Sequence, residues 1–203
     1  MPTVAEIESP KYRISSLAVD MVVFVDIGED DLPLFVGWSE ERPGKRGPNP
    51  TEPGLYVLGI IRLNPPYQGL SYRELQDLEA QGLEPDPDKT YKCLPGGFVD
   101  YNEDPNDAAP RELREETHLP ESVLPDVTLV GIYGQKNRDP RRHVVSCGFS
   151  CLLRPELARE AYGGDDAKET WLLPVNPILS GDTKMGFDHQ KIIADAYNKL
   201  ARR

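Results

Sequence analysis

Residues Gly97 to Leu119 read GFVDYNEDPNDAAPRELREETHL. This run constrains the fold more than any other part of the chain. If Arg111–Glu116 is helical, Glu112, Glu115 and Glu116 fall at i, i+3 and i+4 and share one face. Three carboxylates on one face repel one another, so such a helix needs a cation among them. Divalent ions suit that need: hard oxygen ligands favour Mg²⁺ or Mn²⁺, and those ions suit phosphate chemistry. An acidic stretch of this kind taken alone is usually a solvated helix face. Gly97, Glu103, Arg111 and the three glutamates at fixed offsets are far rarer, coinciding by chance on the order of once in 10⁷ windows.

A chain of 203 residues is enough for one domain with a sizeable core, and we read residues 1–203 as that single domain. No apolar run reaches the ~18 residues of a membrane span, and the N-terminus lacks a basic segment leading into an apolar one, so no signal peptide is read. The net charge of −11 argues against a surface that coats nucleic acid. It also means that an anionic substrate would need a local cationic site of metal and a few arginines. Cys93, Cys147 and Cys151 form neither a disulfide frame nor a zinc site. Cys147 and Cys151 lie four apart in an apparent strand and are expected to pack in the core. The expectation is a reduced, cytoplasmic protein with no membrane partner.

Leu17–Ile27 is Val-rich and reads as a strand, Pro33–Trp38 as a second short one, and Leu55–Leu63 as a third. Residues 41–54 carry four prolines and three glycines and read as loop. Ser71 and Glu74 form a capping box for a helix over Ser71–Gly82, with Tyr72, Leu75 and Leu78 as its stripe. The acidic helix starts near Asp104 or Asn106, with Pro105 at its first position. Pro110 either sits at the edge of the first turn or, deeper inside, kinks the helix. Val127–Tyr133 and Val144–Leu153 read as strands, and Asp188 caps a last helix with Ile193, Ala196, Tyr197 and Leu200 as its stripe. Strands and helices without a βαβ rhythm predict an α/β fold with a mixed sheet and helices packed on it.

Gly97, five residues, Glu103, seven residues, then Arg111-Glu112-Leu113-Arg114-Glu115-Glu116 resembles the signature of the Nudix hydrolases. One position departs: His118 stands where the family has a glycine that ends the helix in a left-handed conformation, which His adopts at modest cost. Pro65-Pro66-Tyr67-Gln68-Gly69 with Leu94-Pro95-Gly96-Gly97-Phe98-Val99-Asp100 resembles the entry to this box in ADP-ribose pyrophosphatases. Arg138-Asp139-Pro140-Arg141, Gly164-Asp165-Asp166-Ala167 with Trp171, and Phe187-Asp188-His189 resemble further motifs of that subgroup. In the first of these, Arg142-His143 follows Arg141 in place of the usual Gly-Arg pair. Segments near 28–54 and 70–90 look inserted relative to a compact member.

The resemblance implies a Nudix fold, a mixed sheet sandwiched between helices, and a nucleoside diphosphate linked to another group as substrate. ADP-ribose, cleaved to AMP and ribose 5-phosphate, is the first expectation. NADH or a diadenosine polyphosphate is the close alternative, and a non-catalytic ADP-ribose sensor is the alternative from another class. Mg²⁺ or Mn²⁺ would be held by Glu112, Glu115 and Glu116, which neutralises the pyrophosphate and orients a water. The family adds the Gly96 carbonyl as a further ligand and pairs Arg111 with Glu103. The base is Glu115 within the box or an acid from another loop: Asp165, Asp166 or Glu169. Arg138 and Arg141 are the candidate substrate contacts. His189 is read as a packed or capping residue at a helix start, and Trp171 as core. Relatives of this kind are often dimers sharing residues across the site, so a homodimer is the alternative to a monomer.

Overall fold

A computed structural model of the chain describes residues 15–41, 46–63, 77–78, 80–83, 90–120, 122, 124, 126–164 and 167–202. The long strand β1 (Ser16–Ile27) is buried without interruption from Val19 to Val25, because both faces of the sheet are covered there. It runs parallel to β6 (Val144–Leu153), and the other strand–strand pairings among the described residues are antiparallel. The remaining strands are β2 (Gly54–Leu63), β3 (Thr90–Cys93), β4 (Gly96–Phe98), β5 (Thr128–Tyr133) and β7 (Ala167–Pro174). Among the described residues they form one seven-stranded sheet in the order β3-β2-β1-β6-β5, with β4 added to β1 and β7 to β2.

One detail of this sheet positions the site. β2 pairs with β1 through Leu58, then leaves it and pairs with β3 from Ile60 onward. The segment from β3 into β4 is wedged into the gap: Met21 N–H donates to the Pro95 carbonyl at 2.8 Å, and Gly96 pairs with Asp20. A side chain at 96 would put its Cβ 2.2 Å from the Val19 carbonyl oxygen, so only glycine fits this close approach.

Each face of the sheet carries its own core. On one, Val19, Met21, Val23 and Phe149 pack with Ala108, Ala109 and Leu113 of helix α1 (Pro105–Thr117). Short helix α2 (Pro155–Ala158) adds Ala158 there. On the other, Val22, Phe24 and Leu173 pack with Ile178 of α3 (Val175–Ser180) and with Ile192, Ile193 and Ala196 of α4 (His189–Leu200). The fold is the expected α/β arrangement, a mixed sheet between helices. None of the described helices is long and apolar enough to cross a membrane.

Two expectations need correction. Pro33–Trp38 is not a strand: Glu29–Phe35 and Trp38–Glu40 are 3₁₀ turns. Asp31 accepts from the Gly28 N–H at 2.8 Å and starts the first turn. Phe35 ends the first turn and Trp38 starts the second; the extended Val36 and left-handed Gly37 between them let both rings enter the core, edges to faces with centroids 5.9 Å apart. Asp188 occupies the N-cap position of α4, but its side chain makes no cap bond, because its carboxylate is drawn to Arg138. Of the helix read over Ser71–Gly82, residues 77, 78 and 80 are helical and Gly82 follows at φ 64°. Ser71, Tyr72, Glu74 and Leu75 lie outside the described residues, as do Pro65–Gly69. The three cysteines are buried and unbridged, with Cys147 and Cys151 in the same core cluster.

Candidate functional site

The acidic helix begins where Asp104, not Asn106, caps it: its carboxylate accepts from the Asn106 N–H at 2.8 Å, and Pro105 takes the first position. Pro110 lies inside and has no N–H to give to the preceding turn, yet the helix continues to Thr117. His118 ends it at φ 58°, ψ 10°, the left-handed conformation a glycine would take, and donates its N–H to Arg114 O at 2.8 Å. The last carbonyls are not left bare. Tyr162 N–H donates to Thr117 O at 3.0 Å and Gly164 N–H to Glu116 O at 2.9 Å, and the His118 ring stacks on Tyr162 at 4.0 Å.

On the face that α1 turns to the β4 loop, two arginines hold the carboxylates. Arg111 donates to both oxygens of Glu103 at 2.6 and 2.8 Å, to Glu112 at 2.8 Å and to Glu115 at 3.1 Å. It also reaches the Phe98 carbonyl at 3.1 Å, tying helix to strand. Arg111 holds the Glu103 carboxyl down at about 2. Arg62 of β2 donates through Nη2 to the Gly96 carbonyl at 2.8 Å and ion-pairs with Glu116. The other oxygen of Glu116 accepts from the Gly96 N–H at 2.8 Å. Burial pushes Glu116 up to about 7 despite Arg62 and that N–H, and raises Glu112 against the pull of Arg111. Gly97 leaves room for Glu112: a Cβ there would stand 2.4 Å from its carboxylate.

Arg62, Gly96, Gly97, Glu112, Glu115 and Glu116 line a cavity of about 380 Å³, with Asp20, Phe98, Arg138, Arg141 and Phe187 among its other walls. Arg138 is buried. It donates to Asp188 through Nε and Nη2, at 3.0 and 2.6 Å, and reaches Asp20 at 3.2 Å. Asp20 also accepts from Ser146 at 2.6 Å and faces His189 Nε2 at 3.2 Å. Burial acts to raise the Asp20 carboxyl, but His189, Arg138 and Ser146 outweigh it and hold the group well below the usual carboxylate range. His189 Nδ1 accepts the Leu94 N–H at 2.9 Å, so Nε2 carries a proton toward Asp20; burial acts to lower the ring's pKa, but the Asp20 carboxylate outweighs it and raises it to about 10. His189 is therefore packed and positioned behind the Leu94–Gly96 turn. Arg141 is held edge-on by Asp139 at 2.6 to 3.2 Å, with the Phe98 and Phe187 rings within 5.9 Å.

Of the candidate bases, Glu115 lines the cavity. Glu169 accepts from Trp171 Nε1 at 2.7 Å and is not among the lining residues. Asp165 and Asp166 lie outside the described residues. Trp171 packs against the core beside α3 and α4. Sequence reasoning missed Arg62 and Asp20. Each was visible only as a charge inside an apolar strand, Asp20 flanked by Val19 and Met21 and Arg62 by Ile61 and Leu63.

Among the described residues no three His, Cys, Asp or Glu side chains converge as a cage for an ion. The donor set nevertheless fits a hard divalent ion: three carboxylates and the Gly96 carbonyl, all oxygen, with two of the carboxylates bearing a burial penalty that a dication would relieve.

Fold and site together define an α/β domain whose acidic helix presents hard oxygen ligands to a cleft of small-molecule size. The NUDIX domain family profile matches residues 78–196, and this chain belongs to that family. It is 41% identical over 110 residues to the ADP-ribose pyrophosphatase of Methanocaldococcus jannaschii, covering 54% of this chain and 59% of that protein. It is 30% identical over 116 residues to the ADPR responsive transcriptional repressor NtrR of Acinetobacter baylyi, covering 56% of this chain and 44% of that one. The matches thus span about half the length of these relatives. A mutT/nudix family protein from Listeria innocua superposes with a TM-score of 0.61 at 27% identity, over 94% of this chain and 97% of that chain.

Proposed function

We propose that this protein hydrolyses the pyrophosphate of a nucleoside diphosphate linked to another group, with ADP-ribose as substrate and AMP and ribose 5-phosphate as products. The observation that carries this reading is the intact set Glu112, Glu115, Glu116 and Gly96 carbonyl at the cavity. The likeness to an ADP-ribose pyrophosphatase supports the choice of substrate. Glu112, Glu115, Glu116 and the Gly96 carbonyl would hold Mg²⁺ or Mn²⁺, which when bound neutralises phosphate charge and lowers the pKa of water. Arg111 keeps Glu112 and Glu115 aimed into the cleft, and the Gly96 N–H fixes Glu116. Water adds its oxygen to one phosphorus as the bridging P–O bond breaks. A carboxylate takes the proton: Glu115, the most exposed of the three box acids, is the described candidate, and Asp165 is the one the motif suggests. Arg141, rigid and on the cavity wall, is placed to meet an anionic substrate, whereas the Arg138 guanidinium is engaged by Asp20 and Asp188.

The three unbridged cysteines support a reducing cytoplasmic setting. The net charge of −11 favours a small nucleotide over nucleic acid as partner. A homodimer is expected from the family resemblance, and sedimentation velocity reads it directly. The test of function is a panel of ADP-ribose, NADH and diadenosine polyphosphates with Mg²⁺ or Mn²⁺, with products separated by chromatography. ADP-ribose should be cleaved, and Glu115→Gln and Glu116→Gln should lose turnover while remaining folded. Full activity in either variant removes the metal assignment. Tight binding of ADP-ribose without cleavage would favour a sensor, the reading suggested by the likeness to an ADPR responsive repressor.

A further inference from the structure

Arg62 stands where two of the expected metal ligands meet. Its Nη2 alone donates to the Gly96 carbonyl oxygen at 2.8 Å and ion-pairs with Oε1 of Glu116. Both side chains are withdrawn from solvent, at 14% and 5% exposure. The backbone aims it there. The pairing of β2 with β7 shifts register between Ile61 and Arg62, an irregularity of the kind that re-aims a side chain. We propose that Arg62 is an internal counter-ion that occupies the Gly96–Glu116 ligand pair in the metal-free protein and must be displaced when a divalent cation binds.

This exchange depends on the metal reading above and on the ion and the guanidinium sharing the same two oxygen atoms. A Mg²⁺-sized ion takes its oxygens at about 2.1 Å. Bound to the same carbonyl and carboxylate, it would lie against the N–H groups of Nη2, positive charge against positive charge. Each oxygen has a second lone pair, so it is the repulsion between ion and guanidinium, both bound to the same two oxygens, that drives the exchange. Arg62 itself borders the cavity of about 380 Å³, so the long side chain has space to withdraw into. Apparent metal affinity is then reduced by the small fraction of molecules whose ligand pair is free, and removing the competitor restores it. Arg62 is thus a positioning residue: it keeps Gly96 and Glu116 in place until the ion replaces it.

The test measures Mn²⁺ binding by loss of the free-ion electron spin resonance signal, without substrate. Arg62→Met should bind Mn²⁺ about tenfold more tightly than wild type, and Arg62→Gln should shift the same way. Arg142→Met removes an equal charge near Phe98, away from the ligand pair, and should change affinity less than about twofold. In ¹⁵N spectra of the wild type, the Arg62 Nε–H signal should move on saturation with Mg²⁺, a readout that needs no altered fold. Unchanged or weaker binding in both Arg62 variants, or an unmoved Arg62 signal, overturns the exchange. If wild type and Glu116→Gln bind Mn²⁺ equally well, the metal assignment itself fails, and that result is distinct from either of the others.

Discussion

Glu116 should make the metal-free protein lose stability as pH rises. Its carboxyl is 4% exposed, and burial lifts it from 4.5 in an unstructured chain to about 7 in the fold. A carboxyl raised in this way favours its protonated form when folded. Its contribution is therefore complete below 4.5 and is lost as pH climbs through about 7. Each unit across that interval is worth about 1.4 kcal/mol, so about 3 kcal/mol disappears over it. Glu116→Gln keeps the shape and cannot titrate. At low pH both proteins carry a neutral group at 116, and any constant offset between them leaves the slope of the stability difference against pH unchanged. Glu112, also raised by burial, titrates in both proteins and largely drops out. Urea unfolding in EDTA should show wild type losing about 3 kcal/mol relative to Glu116→Gln between about pH 4.5 and 7. Mn²⁺ at neutral pH should recover that loss in wild type and do less for the variant. A flat difference, or one of opposite slope, would refute the claim that Glu116 is held at a burial penalty.

Three further outcomes follow from the same geometry. Because His118 sits at φ 58°, His118→Val should cost about 1–2 kcal/mol in urea unfolding. His118→Gly should stay within about 1 kcal/mol, trading backbone relief against the lost Tyr162 stack; a valine variant as stable as wild type contradicts the left-handed assignment. Gly97→Ala places a methyl 2.4 Å from the Glu112 carboxylate and should cut turnover about 10²-fold with circular dichroism unchanged, so an undiminished rate would show that Glu112 need not be where it is. Arg138→Met strips Asp20 and Asp188 of their shared cation and should destabilise by about 3–5 kcal/mol. A fully stable variant with a raised KM would instead make Arg138 a substrate contact.

Where information is local, the sequence by itself determined the result. The facing of Glu112, Glu115 and Glu116 follows from the helical period, Asp104-Pro105 is a cap and first turn, and apolar runs mark β1, β2 and β6 nearly to the residue. Strands β3, β4 and β7 were not legible. β3 and β4 are only four and three residues long and are held as a wedge between diverging neighbours rather than by any pattern of their own. Pro33–Trp38 misled because its apolar residues suit a short strand, yet a strand would send Phe35 and Trp38 to opposite faces, whereas the two 3₁₀ turns bring both into one core. Tertiary structure decided which cations answer the acids. Arg111 lies beside them in sequence, but Arg62 reaches Glu116 across 54 positions and Arg138 reaches Asp20 across 118. Strand register, which depends on the whole sheet, brings those groups together. The charges were readable from the chain, while their partners, and hence their ionisation and their role, were set only once the sheet had closed around them.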